Sequence, residues 1–192
     1  CFKKDILNLI YLSKYYGLNE VANYWEQILI INNWQKERIP AIVTESLFGT
    51  LAGKKIAILG FAFKSNTNDT RESPAIDICK KLLEENCQLN IYDPKVNYEQ
   101  IEKDLELELE RKNTSKDKVP WKKKDSIDES VINTDALIII TEWAEFADLN
   151  YKKLLSLMRQ PSWIFDTRGI ISKKGAESAG FKVWQIGDGE KI

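Results

Sequence analysis

The chain has 192 residues, of which 43% are hydrophobic and 30% charged, an ordinary composition for a globular protein. The net charge of −1 gives no electrostatic reason to expect a nucleic-acid partner. No apolar run is long enough to span a bilayer, so we expect no membrane association. Histidine is absent, which excludes a Ser-His-Asp site, a Cys-His site and a histidine-ligated metal within these residues.

The three cysteines, Cys1, Cys79 and Cys87, are odd in number and lack the spacing of metal ligands. They predict free thiols in a reducing compartment, hence a cytoplasmic protein, and no metal site. If the first residues are helical, Cys1 and Asp5 share one face of the helix. Residue types alone leave open whether Cys1 is a nucleophile or an ordinary terminal residue, because Asp5 opposes a thiolate and the neighbouring lysines favour one.

Residues 1–48 are predicted to be helical. Apolar residues recur at helical spacings, Gly17 is suited to end a first helix, and Asn19 is suited to cap a second. Pro40 is expected to end or kink that second helix, with a third helix running on to Gly49.

The second predicted helix carries apolar residues on more than one face, including Trp25 and Trp34. A helix of this kind is usually buried on two sides. In a chain of this length, the pattern predicts a subunit interface.

After a linker at residues 49–54, short apolar strands alternate with helical patterns, which predicts an α/β fold with a parallel sheet. Helices are predicted after Pro74 and at residues 151–158 and 172–179. The five predicted strands lie within KKIAILGFAF, QLNIYDP, DALIIITEW, SWIFDTR and FKVWQIG. Residues 102–125 are so rich in charge that we predict a solvated insertion there, since acidic residues precede its basic half and argue against a nucleic-acid patch.

Ligands of open parallel sheets bind beyond the carboxyl ends of the strands. Lys64 follows the first strand and Arg168 the fourth, and both are suited to a diphosphate, unless they are ordinary surface cations. The first turn has a single glycine rather than GxGxxG, so no complete dinucleotide site of the usual kind is expected. Arg71 could reach a phosphate, but its spacing favours an ion pair with Asp69 or Glu72.

Several segments, taken in order, resemble the C-terminal portion of the nucleotide-sugar dehydrogenase family. They are CFKKD, NYWEQILIINNWQKERI, KKIAILGFAFKSNTNDTRESPAIDI, IYDP, IIITEWAEF and IFDTR. The resemblance covers nearly the whole chain except the charged segment, and it is closer to the UDP-glucose enzymes than to the GDP-mannose branch.

The resemblance implies an enzyme of three parts, whose NAD-binding Rossmann domain is absent from this chain. Residues 1–48 would be the central helices that form a homodimer or higher homo-oligomer. Residues 49–192 would be a Rossmann-like UDP-sugar-binding domain. The fragment alone is expected to be inactive.

The resemblance also assigns residues to the family reaction, in which UDP-glucose is oxidised to UDP-glucuronate with two NAD. Cys1 would be the nucleophile, forming a thiohemiacetal and then a thioester, and Asp5 would position or activate water. The substrate-binding positions are Phe63, Lys64 and Arg168. The positions near NAD are Lys4 and Arg71.

Three alternatives stay open on the sequence. The chain could be a free-standing UDP-sugar-binding module, or a dimerisation unit whose ligand pocket is degenerate. The parent enzyme could also oxidise another nucleotide sugar, such as a UDP-N-acetyl sugar or GDP-mannose.

Overall fold

The structure is a computed structural model that describes residues 2–109 and 119–189. Within these ranges, helices and strands follow one another in the order α1 (Phe2–Tyr15), α2 (Asn19–Ser46), β1 (Lys55–Leu59), α3 (Pro74–Glu84), β2 (Gln88–Tyr92), α4 (Tyr98–Leu109), β3 (Trp121–Lys123), α5 (Ile127–Val131), β4 (Ala136–Ile139), α6 (Ala144–Ala147), α7 (Tyr151–Leu157), β5 (Trp163–Asp166), α8 (Lys173–Ala179) and β6 (Lys182–Gln185). None of these helices is both long enough and apolar enough to cross a membrane. Cys1 lies outside the described residues.

The six strands form one parallel sheet in the order β3-β2-β1-β4-β5-β6. The α/β fold with a parallel sheet is therefore confirmed, and each of the five predicted strands is present. The chain order reverses between β1 and β4, so a topological switch point lies at the carboxyl ends of these two strands. The central strands β1 and β4 are almost entirely buried, as their continuous apolar runs require.

The prediction of a solvated insertion at residues 102–125 is wrong where the structure describes that segment. Helix α4 extends through its first part, and β3 adds an edge strand to the sheet. Ile101 and Leu105, four residues apart, are buried on one face of α4, while the acidic residues between them obscure that face in the sequence. Trp121 in β3 is also buried, and its ring stacks on Tyr98 at a centroid distance of 5.1 Å. Residues 110–118 lie outside the described residues.

Two predictions about the ends of α2 are wrong. Asn19 is the first helical residue rather than the cap, and Leu18 in the cap position makes no side-chain hydrogen bond. Pro40 lies inside the continuous helix Asn19–Ser46, so the predicted end at Pro40 and the separate third helix are wrong, while a kink at Pro40 stays a prediction. The turns around Pro40 are buried (Ile39, Ile42 and Val43), and this packing against the sheet domain offsets the hydrogen bond that proline cannot donate.

The first part of α2 packs against α1, with a small core of Ile6, Ile10 and Ala22. Gly17, at a φ of 74°, ends α1 as predicted. Trp25 is half-buried beside this small core. Beyond it, α2 exposes large apolar side chains to solvent: Ile30, Ile31 and Trp34 are 57%, 63% and 55% exposed.

Gly60 occupies the point where β1 meets the end of β4. Its φ is 92°, and a Cβ atom there would lie 2.4 Å from Thr141 Cβ and 2.7 Å from the Thr141 backbone nitrogen. A side chain at this position would therefore have to displace backbone as well as adopt an unfavourable conformation.

We expect Gly60→Ala to lower the free energy of unfolding by about 2–5 kcal/mol, the sum of a left-handed backbone cost and an overpacking cost. Gly53→Ala is the matched control, because Gly53 has a φ of 74° but no atom within 4 Å of the position that a Cβ would occupy; it should cost only about 1–2 kcal/mol. Urea denaturation of both variants measures the difference, and equal losses would contradict the close packing of Gly60.

Candidate functional site

The carboxyl ends of β1, β2, β4 and β5 meet at one edge of the sheet. The turn after β1 carries Phe63 and Lys64, β2 is followed by Asp93, β4 by Glu142, and β5 ends at Asp166, just before Arg168. The predicted substrate-binding residues therefore all lie on loops that leave this edge.

The buried carboxylate of Asp93 fixes the turn after β1. Asp93 is 2% exposed. Its Oδ2 accepts the backbone N–H groups of Phe61 and Ala62 at 2.7 and 2.9 Å, and the indole N–H of Trp143 at 3.2 Å. Its Oδ1 accepts two further backbone N–H groups at 2.8 and 3.0 Å. With both oxygens occupied by donors, Asp93 organises the site rather than offering a free base.

The carbonyl groups of the same turn are also held. Ser73 Oγ donates to the carbonyl of Phe61 at 2.8 Å, and Thr141 Oγ1 donates to that of Ala62 at 2.7 Å. The next residue, Phe63, donates its backbone N–H to the carbonyl of Asp69 at 2.8 Å. Phe63 is half-buried and Lys64 exposed, so the two predicted binding residues follow a turn whose donors and acceptors are satisfied.

Asp166 fixes the loop that carries Arg168 in the same way. This carboxylate is fully buried. Its Oδ1 accepts the backbone N–H groups of Arg168 and Gly169 at 2.9 and 2.8 Å. Its Oδ2 accepts the N–H of Ile171 at 3.0 Å and Nε2–H of Gln185 at 2.9 Å.

The guanidinium of Arg168 is anchored through one nitrogen. Its Nε donates to the carbonyl of Ile140 at 2.6 Å and lies 3.3 Å from Glu142 Oε2. Within the described residues its two terminal nitrogens form no hydrogen bond, and the side chain is 32% exposed. The arrangement leaves the outer edge of the guanidinium as a planar fork, the geometry that binds phosphate oxygens in pairs.

Arg71 forms a two-pronged ion pair with Asp69, one of the two acidic partners between which its spacing did not decide. The distances are 2.9 Å from Nε to Oδ1 and 2.7 Å from Nη2 to Oδ2. These hydrogen bonds lower the pKa of Asp69 to about 2. The side chain of Arg71 is 88% exposed, so its charge is open to solvent despite the pair.

The start of α1 lies beside the loop that contains Arg71. Lys3 Nζ is 2.9 Å from Glu72 Oε2, and Glu72 has a φ of 58°, an uncommon conformation for a residue other than glycine. Lys4 and Asp5 are exposed on the first turn of α1. The contact of Lys3 with Glu72 joins the first turn of α1, which also carries Lys4 and Asp5, to the loop that contains Arg71. Cys1 lies outside the described residues.

Two cavities in the described ranges lie away from these cations. One of about 310 Å³ separates α2 from α3, and its lining mixes lysines with Asp77 and Glu84. The other, of about 260 Å³, has an acidic lining that includes Asp128, Glu145 and Asp148. Neither includes Phe63, Lys64 or Arg168, so neither cavity is part of the candidate site.

The two described cysteines are free, as predicted, and are unsuited to nucleophilic chemistry. Cys79 and Cys87 are both buried. Burial raises the pKa of the Cys79 thiol far above its usual range and that of Cys87 to about 12, so both stay protonated near neutral pH. The described residues contain no group of three or more His, Cys, Asp or Glu side chains that could hold a metal ion.

The sequence identifies the cations of this site but not the carboxylates that hold them. Asp93, Glu142 and Asp166 stand out in it only as polar residues after strands, and none of the three has a predicted role. The available signal is an acidic residue directly after, or at the end of, a buried strand, where backbone N–H groups of the next loop need acceptors.

Known proteins are similar in sequence to this chain over nearly its whole length. Residues 57–173 match the model of the "UDP-glucose/GDP-mannose dehydrogenase family, UDP binding domain". The chain is 47% identical over 187 residues to UDP-glucose 6-dehydrogenase of Drosophila melanogaster, with 97% of this chain and 39% of that protein covered. It is 43% identical over 199 residues to UDP-glucose 6-dehydrogenase 2 of Oryza sativa subsp. japonica, with 97% and 40% covered.

The fold is also shared with solved structures. A UDP-glucose dehydrogenase from the hyperthermophilic archaeon Pyrobaculum islandicum superposes with a TM-score of 0.72 at 24% identity, over 96% of this chain and 36% of that one. The chain spans about 40% of the length of the curated relatives that it matches. On the family match and these identities, the chain belongs to the UDP-glucose/GDP-mannose dehydrogenase family.

Proposed function

We propose that this chain is the UDP-sugar-binding portion of a UDP-glucose 6-dehydrogenase, with residues 1–48 as a dimerisation segment and residues 49–192 as the substrate-binding domain. The observation that carries the proposal is the guanidinium of Arg168, anchored through Nε with its outer edge unpaired at the carboxyl edge of the sheet. The names of the relatives, which are UDP-glucose 6-dehydrogenases in plants and an insect, support UDP-glucose as the substrate.

Arg168 and Lys64 are the proposed ligands of the diphosphate. Arg168 offers two parallel N–H donors, whereas Lys64 offers a mobile point charge from the other side of the switch point. Phe63 follows the fixed turn and would give apolar contact to the nucleotide or sugar. The site would thus recognise the part of the substrate that does not react and hold the sugar toward the start of α1.

The proposed cofactor is NAD, which supplies the hydride acceptor for each of the two oxidation steps. This chain does not contain a complete site for it. Thr141 closely approaches Gly60, and no further glycine follows it in the turn, so the turn lacks the GxGxxG pattern. Lys4 and Arg71 are therefore proposed only as contacts at the border with a separate NAD-binding domain.

Cys1 is the proposed nucleophile and Asp5 the residue that positions water. The Cys1 thiolate would add to the aldehyde carbon left by the first oxidation, and the carbonyl oxygen would take up a proton. Removal of a hydride and that proton in the second oxidation would leave a thioester. Water positioned by Asp5 would then displace the thiol and release the carboxylate.

A homodimer or higher homo-oligomer is proposed through α2. The exposed apolar face that includes Ile30, Ile31 and Trp34 continues beyond the part of α2 covered by α1. A cytoplasmic location is proposed from the free thiols of Cys79 and Cys87.

The chain should bind UDP and UDP-glucose more tightly than GDP-mannose or NAD when each is titrated by calorimetry. Arg168→Ala should weaken UDP binding by about 1.5–3 kcal/mol, the usual loss for a hydrogen bond that involves a charged group. Arg159→Ala is the matched control, because Arg159 is an arginine paired with Asp135 away from the site residues. Equal UDP affinity in the Arg168→Ala variant and the wild type would remove Arg168 from the site.

Cys1→Ser should abolish formation of UDP-glucuronate in a protein that joins this chain to a complete NAD-binding domain. The reason is that a serine hydroxyl does not ionise near neutral pH and is a far weaker nucleophile than a thiolate. Chromatography of the products measures the acid, and Cys79→Ala serves as a control that removes a buried thiol. Substantial acid from Cys1→Ser would refute the nucleophilic role.

Ile31→Glu should reduce the mass measured by light scattering at micromolar concentration toward that of a monomer. A charge buried in an apolar interface is strongly unfavourable. Ile132→Glu is the control, since Ile132 is also exposed, at 44%, but lies on the sheet domain. A monomeric wild type, or the same mass for all three proteins, would contradict the interface on α2.

A further inference from the structure

We infer that Glu142 is a positioning residue that holds the Arg168 guanidinium and the turn bearing Lys64 in the arrangement that a diphosphate requires. The inference rests on the proposed function for its ligand. It assigns a role to a residue to which neither the sequence patterns nor the family resemblance gave one.

The order of the strands places Glu142 between the two cations. Lys64 follows β1 and Arg168 follows β5, and β4 separates these two strands in the sheet. A side chain just beyond the end of β4 can therefore contact both loops. Glu142 does so: its Oε1 accepts the backbone N–H of Ser65 at 3.3 Å, and its Oε2 lies 3.3 Å from Arg168 Nε.

The contact with Arg168 is an ion pair without a hydrogen bond. Glu142 Oε2 is buried and accepts no hydrogen bond from the described part of the chain, because the Nε–H of Arg168 is directed at the carbonyl of Ile140. A carboxylate oxygen in this state loses its hydration without full compensation. The two side chains are also 32% and 38% exposed, so solvent screening leaves the pair little stabilising effect on the fold.

The arrangement is useful for binding a diphosphate. Contacts at Nε orient the guanidinium and leave its two terminal nitrogens without a hydrogen bond to the described residues. Glu142 also places a negative charge beside Arg168 and next to the loop that bears Lys64. Through Ser65, the same carboxylate restrains the backbone one residue after Lys64.

The opposite hypothesis, in which Glu142 competes with the ligand, predicts the opposite change in the affinity for UDP. If Glu142 only competed with phosphate for Arg168, its removal would strengthen the binding of UDP. Glu142→Gln distinguishes the two, because glutamine keeps the size of the side chain and an oxygen for Ser65 but removes the charge.

The first experiment needs no ligand. The rate of solvent exchange of the Arg168 Nε–H proton is measured by NMR in the wild type, Glu142→Gln and the control Glu145→Gln, which removes an acid that pairs with Tyr92 instead. We expect exchange to be about twofold to fivefold faster in Glu142→Gln, the size of effect that a partly exposed ion pair can have, and unchanged in the control. Unchanged exchange in Glu142→Gln would overturn the positioning role whatever the ligand.

The second experiment measures binding of UDP and of uridine, which has no phosphate, by calorimetry. Glu142→Gln should weaken UDP binding by about tenfold, leave uridine binding unchanged, and have less than about a twofold effect in the Arg168→Ala background. An equal loss for uridine, an equal loss in the Arg168→Ala background, or tighter binding of UDP would overturn the inference.

The two experiments separate the inference from the function on which it rests. Absence of UDP binding by the wild-type chain would count against the proposed substrate site, and proton exchange would then decide the positioning role alone. Circular dichroism checks that each variant is folded. If Glu142→Gln is not, Glu142→Asp, which keeps the charge but is too short to contact both loops, is measured with the same expected signs.

Discussion

Two buried carboxylates, Asp93 and Asp166, hold the loops at the carboxyl edge of the sheet. A buried charge is costly unless donors surround it, and here each carboxylate accepts at least four hydrogen bonds, mostly from backbone N–H groups. The loops after β1 and β5 consequently have little freedom. The positions of the backbones that carry Lys64 and Arg168 depend on these contacts before any ligand is present, which lowers the entropy that binding must overcome.

The contacts at the start of α1 are of another kind. Lys3 and Glu72 are 46% and 55% exposed at their side chains, and an exposed ion pair contributes about 0–1 kcal/mol. The diphosphate side of the proposed site is thus fixed by buried hydrogen bonds, while the side nearest Asp5 is joined by a contact that is easily rearranged. This difference suits the proposed assembly, in which a second domain must approach α1 and its neighbouring loop to complete the site.

The strands of this fold could be predicted from the sequence because their signals are local. These signals are continuous apolar runs and, after β1, a glycine that ends the strand. The positions of Lys64 and Arg168 at the sheet edge followed from the same reasoning. Strand β3 could not be found in this way, because it has three residues and its burial comes from contacts such as Trp121 with Tyr98. The predicted end of the helix at Pro40 was wrong for a similar reason, since packing of its neighbours overrode a local helix-breaking preference. The roles of the carboxylates depend on partners distant in sequence, such as Asp93 and Phe61, which are 32 positions apart.

The electrostatics of the site also depend on structure rather than composition. The chain as a whole has a net charge of −1, which gives an anionic ligand no long-range attraction. The acidic residues Asp93, Glu142 and Asp166 lie at the same edge as Lys64 and Arg168, but backbone N–H dipoles surround the carboxylates of Asp93 and Asp166 and compensate much of their charge. Of these three acids, Glu142 is the one that pairs directly with a proposed binding cation. The local attraction for a diphosphate therefore depends on how the structure distributes donors among three carboxylates, and Glu142 is the one whose charge has the least compensation from hydrogen bonds.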